Sequence, residues 1–314
     1  MSTGIALIFP AFVSDYNGDE ISFLARNNSH FDQYLESASI VTGIDLLSFD
    51  ILHNKFLNDE LKSQLLAYVF SCSVSDIIKE KNIRAGYIAG YSMGIYAGLY
   101  HTGVYSFDDG AKLIQKAYQI IVKHNGNVKF GMATIAGIDD DDLSDIIQQS
   151  QSDVEIINAN SRHSFVISGK YHEIEKIVQA AILEGALLAR ILSVSVPYHS
   201  MHMKEAAGEF GRYIVMQKFQ DSVVPIVSLI DQRLITATHD IRHELIMNIS
   251  NKINWYRTMM KLACLDARVM LECGAGKSLY KMSKFMDEDI KVYPLNKMSN
   301  FIEKTKQLNI SASI

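Results

Sequence analysis

The chain is poor in cysteine, in proline and in long apolar runs, and each shortage excludes a class of protein. Its three cysteines, Cys72, Cys264 and Cys273, are too few and too scattered for a disulfide framework, and their spacing is not that of a metal site. No apolar run approaches the ~20 residues that a membrane-spanning helix needs. We therefore expect a soluble, globular protein of a reducing compartment, the cytoplasm.

An excess of positive charge is lacking as well. The net charge is −5 and the isoelectric point is near 6.1, so neither nucleic acid nor an anionic membrane is an expected partner. The first residues, MSTGIALIFPAF, have no basic segment, and their apolar core is too short for a signal peptide. They predict instead a first strand over residues 5–9 that Pro10 ends.

Hydrophobic residues make up 48% of the 314, enough for one large core or two unequal domains. Helical spacing of apolar residues covers 60–80, a strand follows at 86–89, and after a turn at Ser92 a helix begins near Met93. Ser106 and Asp108 then begin another helix. Strand, turn and helix in this order are typical of a layered α/β domain.

The segment from about 130 to 198 has a different pattern. Strands are predicted over 131–138, 154–160, 164–169 and 186–196, and helices over 139–149 and 172–185. The order β-α-β-β-α-β is that of a ferredoxin-like unit. We therefore predict an α/β-hydrolase-like large domain, residues 1–128 and 199–314, with an inserted ferredoxin-like small domain, residues 129–198. Beyond residue 200 helices dominate, with further strands at RVMLECG and KVYPL.

A serine lies between two glycines in Gly90-Tyr91-Ser92-Met93-Gly94, after a predicted strand and before a predicted helix. This context is that of a nucleophile elbow, in which the glycines permit a tight turn and leave the serine hydroxyl exposed at a helix N-terminus. The alternative is a tight glycine-serine turn without chemistry. We predict that Ser92 is a nucleophile.

A serine nucleophile needs a base. His199 follows the last strand of the small unit and is placed to face a cleft, although a structural role is equally consistent with its local sequence. His202, one helical turn later, is the rival. His239 and His243 are more consistent with one solvated helix face. Because His243 is the last histidine, the order of residues in an ordinary α/β-hydrolase does not apply.

Two other segments resemble ligand sites and fail on inspection. ECGAGKSL lacks the first glycine of a phosphate-binding loop, since Leu271 stands there, and the last glycine of a dinucleotide fingerprint, since Leu279 stands there. The acidic run 139–142 fits a helix N-terminus better than a metal site. We predict no metal and no bound cofactor.

With Ser92 and His199 placed, the whole chain resembles the malonyl-CoA:acyl carrier protein transacylases and the acyltransferase domains of polyketide synthases. The matching segments, in chain order, are Phe9-Pro10, GYSMGIYAGL, TGVYSFDDGAKLI, NANSRHSFVISG, VPYHSMHM, NISNKINW and LECGAGKSL. The resemblance implies a Ser92–His199 dyad, an acyl-Ser92 intermediate and a ping-pong reaction. It also implies an oxyanion hole formed by the backbone N–H groups of Met93 and Phe12, and a backbone carbonyl at Asn248 that orients the histidine.

The chain departs from the family where malonyl groups are recognised. The arginine that binds the malonyl carboxylate is replaced by Ala117, and Lys116 points about 100° away around the helix. Ser164 replaces a glutamine, and Tyr91 and Ile95 replace the usual histidine and glutamate. We expect Ala117 and Tyr91 to line an acyl pocket for a group other than malonyl.

Two functions follow. One is an acyltransferase that moves an uncarboxylated or unusual acyl group from coenzyme A or acyl carrier protein thioesters to an acyl carrier protein, in polyketide or fatty-acid biosynthesis. The other is a thioester hydrolase of the same fold, with water as acceptor. In both, the substrate is an acyl-CoA or phosphopantetheine thioester. Lys277, Lys281 and Lys284, spaced along one predicted helical face, are candidates for docking an acidic carrier protein, with a solvated helix as the alternative.

Overall fold

The computed structural model describes residues 4–13, 16, 18–27, 30–48, 59–286 and 290–295, and two sheets organise this part of the chain. The larger sheet has six strands, which in spatial order are β10 (Lys291–Pro294), β9 (Val269–Glu272), β1 (Ile5–Phe9), β2 (Tyr87–Gly90), β7 (Ile226–Val227) and β8 (Leu234–Ile235). Neighbouring strands from β10 to β7 pair in parallel, and β8 pairs antiparallel with β7. The predicted strand over residues 5–9 is confirmed.

Helices cover both faces of this sheet. Leu7 and Phe9 of β1 belong to one apolar core and Ala6 and Ile8 to another, as the alternation of side chains along a strand requires. The helices are α1 (Asp19–Arg26), α2 (Phe31–Thr42), α3 (Glu60–Glu80), α4 (Ile95–His101), α5 (Phe107–Asn125), α8 (Lys204–Ile214), α9 (Thr238–Ser250), α10 (Trp255–Cys264) and α11 (Ser278–Ser283). The predicted helix over 60–80 is confirmed, and Ser106 caps α5 by accepting from the backbone N–H of Asp109.

The smaller sheet has the strand order β4 (Glu155–Ser161), β5 (Ser164–Lys170), β3 (Phe130–Ala136) and β6 (Leu188–Ile191), and its paired strands are antiparallel. Helices α6 (Asp140–Gln149) and α7 (Tyr171–Leu183) pack with it around a separate apolar core. The chain order β-α-β-β-α-β confirms the ferredoxin-like fold. All its strands and helices lie within 129–198, and the domain boundaries themselves stay a prediction.

The last strand of this unit is shorter than predicted. The pattern over 186–196 indicates one long strand, whereas β6 covers only Leu188–Ile191. The ladder with β3 ends at Ile191, opposite Ala133, and the Leu192 N–H then donates to the Met132 carbonyl. The apolar alternation continues past the last pair, although β3 itself extends to Phe130. The two-residue strands β7 and β8 were not predicted, because two residues are too few to show a period.

Strand β4 joins the two sheets. The backbone N–H of Ile253 donates to the Ile157 carbonyl at 2.9 Å, and the N–H of Trp255 donates to Oδ1 of Asn158 at 3.1 Å. Both bonds join the small sheet to the segment at the start of α10. They therefore hold the small sheet against that part of the large domain. Within the described ranges, no helix combines the length and the apolar character needed to cross a membrane.

Candidate active site

The chain makes a sharp turn directly after β2, at Ser92. The φ angle of Ser92 is 50°, in the left-handed region that residues other than glycine rarely adopt. A single 3-10 turn over Ser92–Gly94 follows and leads into α4. The helix therefore begins slightly later than predicted from the sequence. A strained serine between a parallel strand and a helix is the geometry of a nucleophile elbow.

The two glycines of the motif are required by close backbone contacts. A Cβ atom on Gly90 would lie 2.2 Å from the backbone nitrogen of Ile95, and one on Gly94 would lie 2.1 Å from the carbonyl oxygen of Phe9. Neither contact can be relieved by moving a flexible side chain, because both partners are backbone atoms. This agrees with the prediction that the glycines permit a tight turn and a close approach of strand and helix.

His199 lies beside Ser92 although 107 residues separate them in the chain. The Oγ atom of Ser92 and the Nε2 atom of His199 are 2.7 Å apart, within hydrogen-bond distance. His199 also adopts a left-handed φ of 60°, and its backbone N–H donates to the Ile249 carbonyl at the end of α9. Both side chains are buried, with 8% of Ser92 and 4% of His199 exposed. The expectation of an exposed serine was wrong, because the histidine covers it.

Burial lowers the pKa of His199 to about 4, since the positive form of the ring is poorly solvated there. The backbone carbonyl of Asn248 acts in the opposite direction and favours the protonated ring. Within the described part of the chain, Nδ1 of His199 has no partner with full hydrogen-bond geometry. The Asn248 carbonyl is thus a weak acceptor for Nδ1. The ring is neutral at pH 7, the form in which Nε2 can accept a proton.

The side chain of Asn248 has a second contact that sequence reasoning missed. Its Nδ2 donates to the backbone carbonyl of Ser92 at 3.2 Å, across a separation of 156 residues. No local sequence pattern predicts a contact between residues so far apart in the chain. Asn248 therefore interacts with the backbone of Ser92 through its side chain and with the ring of His199 through its backbone carbonyl.

The other three histidines weighed from the sequence lie away from Ser92 Oγ. The ring of His202 packs on that of Phe130, with 4.9 Å between the ring centroids. His239 and His243 are exposed on α9, and His239 lies 3.5 Å from the carboxylate of Asp240. This confirms the prediction of a solvated helix face for the latter two.

The two predicted oxyanion donors lie after neighbouring strands. Met93 follows β2 at the start of the 3-10 turn, and Phe12 follows β1. Strands β1 and β2 are parallel neighbours, with Phe9 opposite Gly90, so both segments leave the same edge of the sheet. The first N–H groups of a helical turn have no partner within that turn, so the Met93 N–H is suited to a developing negative charge. The oxyanion hole itself stays a prediction.

Ala117 and Tyr91, both predicted to line an acyl pocket, belong to different cores. Ala117 lies on α5, only 1% exposed, in the core that contains Phe9. The side chain of Tyr91 packs against Trp255 in the other core, and its hydroxyl donates to Asn160 Oδ1 at 3.0 Å. The Nζ of Lys116 lies 5.5 Å from the ring centroid of Tyr213, directed toward α8. A shared role for Ala117 and Tyr91 in acyl binding stays a prediction.

The three predicted docking lysines are exposed, but they do not lie on one long helix. Helix α11 covers only Ser278–Ser283, with Lys277 and Lys284 as its flanking caps, and Lys277 has extended rather than helical φ. The predicted helical face is therefore wrong in its geometry. The Nζ of Lys284 lies over the Tyr280 ring, whereas Lys281 lines a cavity between α11 and the small sheet.

This cavity has a volume of about 1200 Å³. Its lining combines apolar side chains such as Leu187 and Phe285 with cationic, acidic and amide groups. The polar lining residues include Arg190, Lys281, Asp139, Asp142, Glu184 and Asn160. Asn160 also accepts the hydrogen bond from Tyr91, the neighbour of Ser92 in the elbow. Ser92 and His199 are not among the residues that line the cavity, so its link to the elbow is the hydrogen bond between Asn160 and Tyr91.

The segments that resemble ligand sites have structural roles. In ECGAGKSL the carboxylate of Glu272 accepts from the backbone N–H groups of Leu279 and Tyr280, so an internal acid already lies at the N-terminus of α11. The acidic run forms the start of α6, with Asp139 as its N-cap, as predicted. Among the described residues, no group of three or more potential ligands is arranged to hold a metal ion.

The fold and the site together define a class: an α/β-hydrolase-like protein with a ferredoxin-like unit and a serine–histidine pair at a nucleophile elbow. No family model matches the chain. Its sequence is 25% identical over 285 residues to the malonyl CoA-acyl carrier protein transacylase of Synechocystis, covering 84% of this chain and 95% of that one. The transacylase of Staphylococcus aureus strain MRSA252 is 26% identical over 294 residues, covering 91% and 94%.

Solved structures of transacylases are similar to this chain as well. FabD from Acinetobacter baumannii has a TM-score of 0.88 at 25% identity and covers 99% of this chain and 100% of its own. PlMCAT, a malonyl-transacylase solved with its type II polyketide acyl carrier protein AntF, has a TM-score of 0.89 at 24% identity, covering 96% and 99%. The resemblance to malonyl-CoA:acyl carrier protein transacylases and the predicted fold class are confirmed.

Proposed function

We propose that this chain is an acyltransferase that carries an acyl group on Ser92 from a coenzyme A or acyl carrier protein thioester to an acyl carrier protein. The observation that carries the proposal is the 2.7 Å contact between Ser92 Oγ and His199 Nε2 at a strained elbow. A neutral histidine at this distance can accept the hydroxyl proton while the oxygen attacks a carbonyl. The similarity to transacylases over most of the chain supports acyl transfer as the reaction class.

The reaction consists of acylation of Ser92 and then transfer of the acyl group to the second carrier, and His199 moves the proton in both steps. Ser92 Oγ attacks the thioester carbonyl and gives its proton to Nε2 of His199, forming a tetrahedral oxyanion that the Met93 and Phe12 N–H groups stabilise. The intermediate breaks its C–S bond, and the departing thiolate takes the proton from His199. The thiol of the second carrier then gives its proton to Nε2 and attacks acyl-Ser92, which returns the serine hydroxyl.

The cavity beside α11 is suited to the arm of the substrate. A phosphopantetheine group is long, with amide groups along its chain and a phosphate at its outer end. In the lining, Asn160 offers a partner for the amide groups, and Arg190 and Lys281 offer partners for the phosphate, beside the acidic Asp139, Asp142 and Glu184. Carrier proteins of this kind are acidic, and Lys281 both lines the cavity and is exposed on α11, with Lys277 and Lys284 at the two ends of that helix.

The acyl group that we propose is uncarboxylated. The position of the malonyl-binding arginine is Ala117, which is buried in an apolar core. A buried carboxylate without a cationic partner is unfavourable by several kcal/mol, in the range of about 3–5 for a broken buried pair. Malonyl thioesters should therefore acylate Ser92 more slowly than acetyl or longer acyl groups.

Intact mass spectrometry tests the proposal. The protein is mixed with a panel of acyl-CoA and acyl-carrier thioesters, with and without a second carrier, and both the adduct on the protein and the acyl-carrier product are measured. We expect an adduct that Ser92→Ala abolishes, that His199→Ala slows by orders of magnitude and His202→Ala slows less, and that a second carrier discharges. Discharge by water at the same rate without the carrier would favour the hydrolase, and an adduct on Ser92→Ala would contradict the nucleophile.

A further inference from the structure

A polar cluster that the dyad does not use lies next to His199. It consists of Glu60 and Gln64, one turn apart at the start of α3, and of Tyr198, the residue before His199. Gln64 is 2% exposed and Tyr198 is also buried. Buried polar groups normally have hydrogen-bond partners, so an incomplete set needs an explanation.

The hydrogen-bond acceptors of the cluster outnumber its donors. The Nε2 of Gln64 donates to the Tyr198 hydroxyl at 3.0 Å. Against the larger effect of burial, the Tyr198 hydroxyl and the backbone N–H of Ser195 act on the Glu60 carboxyl to lower its pKa, but neither reaches it with full hydrogen-bond geometry. Within the described ranges, two buried acceptor atoms are left without a donor, Oε1 of Glu60 and Oε1 of Gln64. What the cluster lacks is therefore a donor.

Among the described residues, no cation is found to compensate the charge of Glu60. The described groups that act on the Glu60 carboxyl include the acidic Asp59 and no lysine or arginine. Burial raises the pKa of Glu60, and a cation beside it would favour the ionised form. A carboxylate approaching the same atoms would meet a like charge.

The cluster borders the dyad through Tyr198, the residue before His199. The rings of Tyr198 and His199 have their centroids 6.3 Å apart, and His199 contacts Ser92 Oγ. Helix α3, which carries Glu60 and Gln64, also packs against the 3-10 turn of Ser92 and against α5. Tyr198 and Ala117 belong to the same core.

We infer that Glu60, Gln64 and Tyr198 bind the far end of the acyl group and select acyl chains that carry a protonated amine. The inference rests on the proposed acyl transfer. An ammonium group offers three donors and no acceptor, so it can satisfy both open oxygen atoms at once. It also pairs with the Glu60 carboxylate in a charge-assisted hydrogen bond. Ala117 stands where a cation would bind malonyl, and Glu60 supplies a negative charge that binds an ammonium group. The two positions therefore favour the same class of acyl group.

The test compares thioesters of equal length on the unmodified protein. The rate of acyl-Ser92 formation is measured by intact mass spectrometry with 4-aminobutyryl, pentanoyl, 4-hydroxybutyryl and malonyl thioesters of N-acetylcysteamine. We expect the amino compound to react fastest, by about tenfold or more, since a hydrogen bond to a charged group contributes about 1.5–3 kcal/mol. Glu60→Gln and Gln64→Leu should each reduce the ratio of amino to pentanoyl rates, while Glu80→Gln, at the far end of α3, should leave it unchanged.

The outcomes separate the two proposals. If no thioester acylates Ser92, the proposed function fails and this inference with it. If pentanoyl acylates Ser92 as fast as or faster than the amino compound, or if the hydroxy compound equals it, the inference alone is wrong. The comparison on the unmodified protein decides this even if a variant fails to fold.

Discussion

Asn248 holds the backbone of Ser92, with its Nδ2 donating to the Ser92 carbonyl oxygen at 3.2 Å. The same residue presents its own backbone carbonyl to the ring of His199. One residue at the end of α9 therefore acts on both members of the pair. Because Ser92 has an unfavourable left-handed φ, a bond that fixes its carbonyl helps to maintain the direction of its hydroxyl.

Asn248→Ala removes the side-chain bond and keeps the backbone carbonyl. We expect the maximal rate of Ser92 acylation to fall by roughly fivefold, the equivalent of one neutral hydrogen bond of about 1 kcal/mol, with little change in KM. The matched control is Ser250→Ala, a buried residue of the same helix. Single-turnover kinetics measures both variants. An Asn248→Ala rate equal to that of the unmodified protein would remove this positioning role.

The pH dependence of acylation should reflect the buried state of His199. Because burial lowers its pKa to about 4, the ring is neutral, and able to accept a proton, above that pH. We expect the single-turnover rate to be constant from about pH 6 to 8 and to fall only near pH 4. The folded pKa lies below the ordinary value of 6.5, so His199 also makes the fold less stable as the pH falls from 6.5 toward 4.

An inflection near pH 6.5 would contradict this account and would indicate a solvated ring. The control is thermal unfolding of His199→Gln over the same pH range. It should lose part of the acid-induced drop in stability, since it removes the group that must stay neutral in the fold. His101, whose pKa burial lowers to about 3, contributes a similar drop in both proteins.

Gly90 and Gly208 form a matched pair for testing the elbow. Gly90→Ala places a Cβ atom 2.2 Å from the Ile95 nitrogen and should destabilise the protein by at least about 2 kcal/mol. Gly208 lies exposed in α8, where nothing approaches within 4 Å, so Gly208→Ala should stabilise it by about 0.5–1 kcal/mol. Chemical denaturation measures both. Equal stability of the two variants would refute the close packing of strand and helix.

Local patterns were sufficient to predict most of the fold. The capped start of α5, the apolar strand β1 and the six elements of the small unit all have periods or caps that a few neighbouring residues determine. The turn at Ser92 could be predicted for the same reason. By contrast, β7 and β8 exist only because neighbouring strands are present to pair with them.

The site depends on contacts between distant segments, so the sequence alone predicted it only in part. His199 was a candidate from its position after the last strand of the small unit, but its pairing with Ser92 was implied only by the resemblance to a family, because no period links the two residues. The side-chain bond of Asn248 and the cluster of Glu60, Gln64 and Tyr198 join residues more than a hundred positions apart. The shortness of α11 was missed because Lys277, Lys281 and Lys284 fit a helical period that the chain does not continue.

Charge reversal of Lys277, Lys281 and Lys284 tests carrier docking. We expect the triple glutamate variant to raise KM for an acyl-carrier substrate and not for a small thioester, since the small compound makes no contact outside the cleft. Lys281→Glu alone should have the largest single effect, because Lys281 lines the cavity. Steady-state kinetics with both substrates measures this.

The control for that experiment is reversal of Lys176 and Lys261, which lie on other helices, α7 and α10. If the carrier and the small thioester respond alike to the triple variant, the surface around α11 is not the docking site. A strong dependence of the carrier reaction on salt should accompany the expected result and should be reduced in the variant.

Position 117 provides a test of the proposed preference for uncarboxylated over malonyl substrates. It is 1% exposed within an apolar core, and the neighbouring Lys116 is directed toward Tyr213, so among the described residues on α5 no cation faces this position. In a competition on the unmodified protein, acetyl and propionyl thioesters should acylate Ser92 faster than malonyl, by roughly 10²-fold, the equivalent of a lost charged pair. Ala117→Arg should suppress the uncarboxylated substrates, because it buries an unpaired guanidinium when they bind. Ala117→Met, of similar length without charge, separates this effect from crowding. A malonyl preference of the unmodified protein would show that another cation fills the site and that the alignment of α5 with the family is wrong.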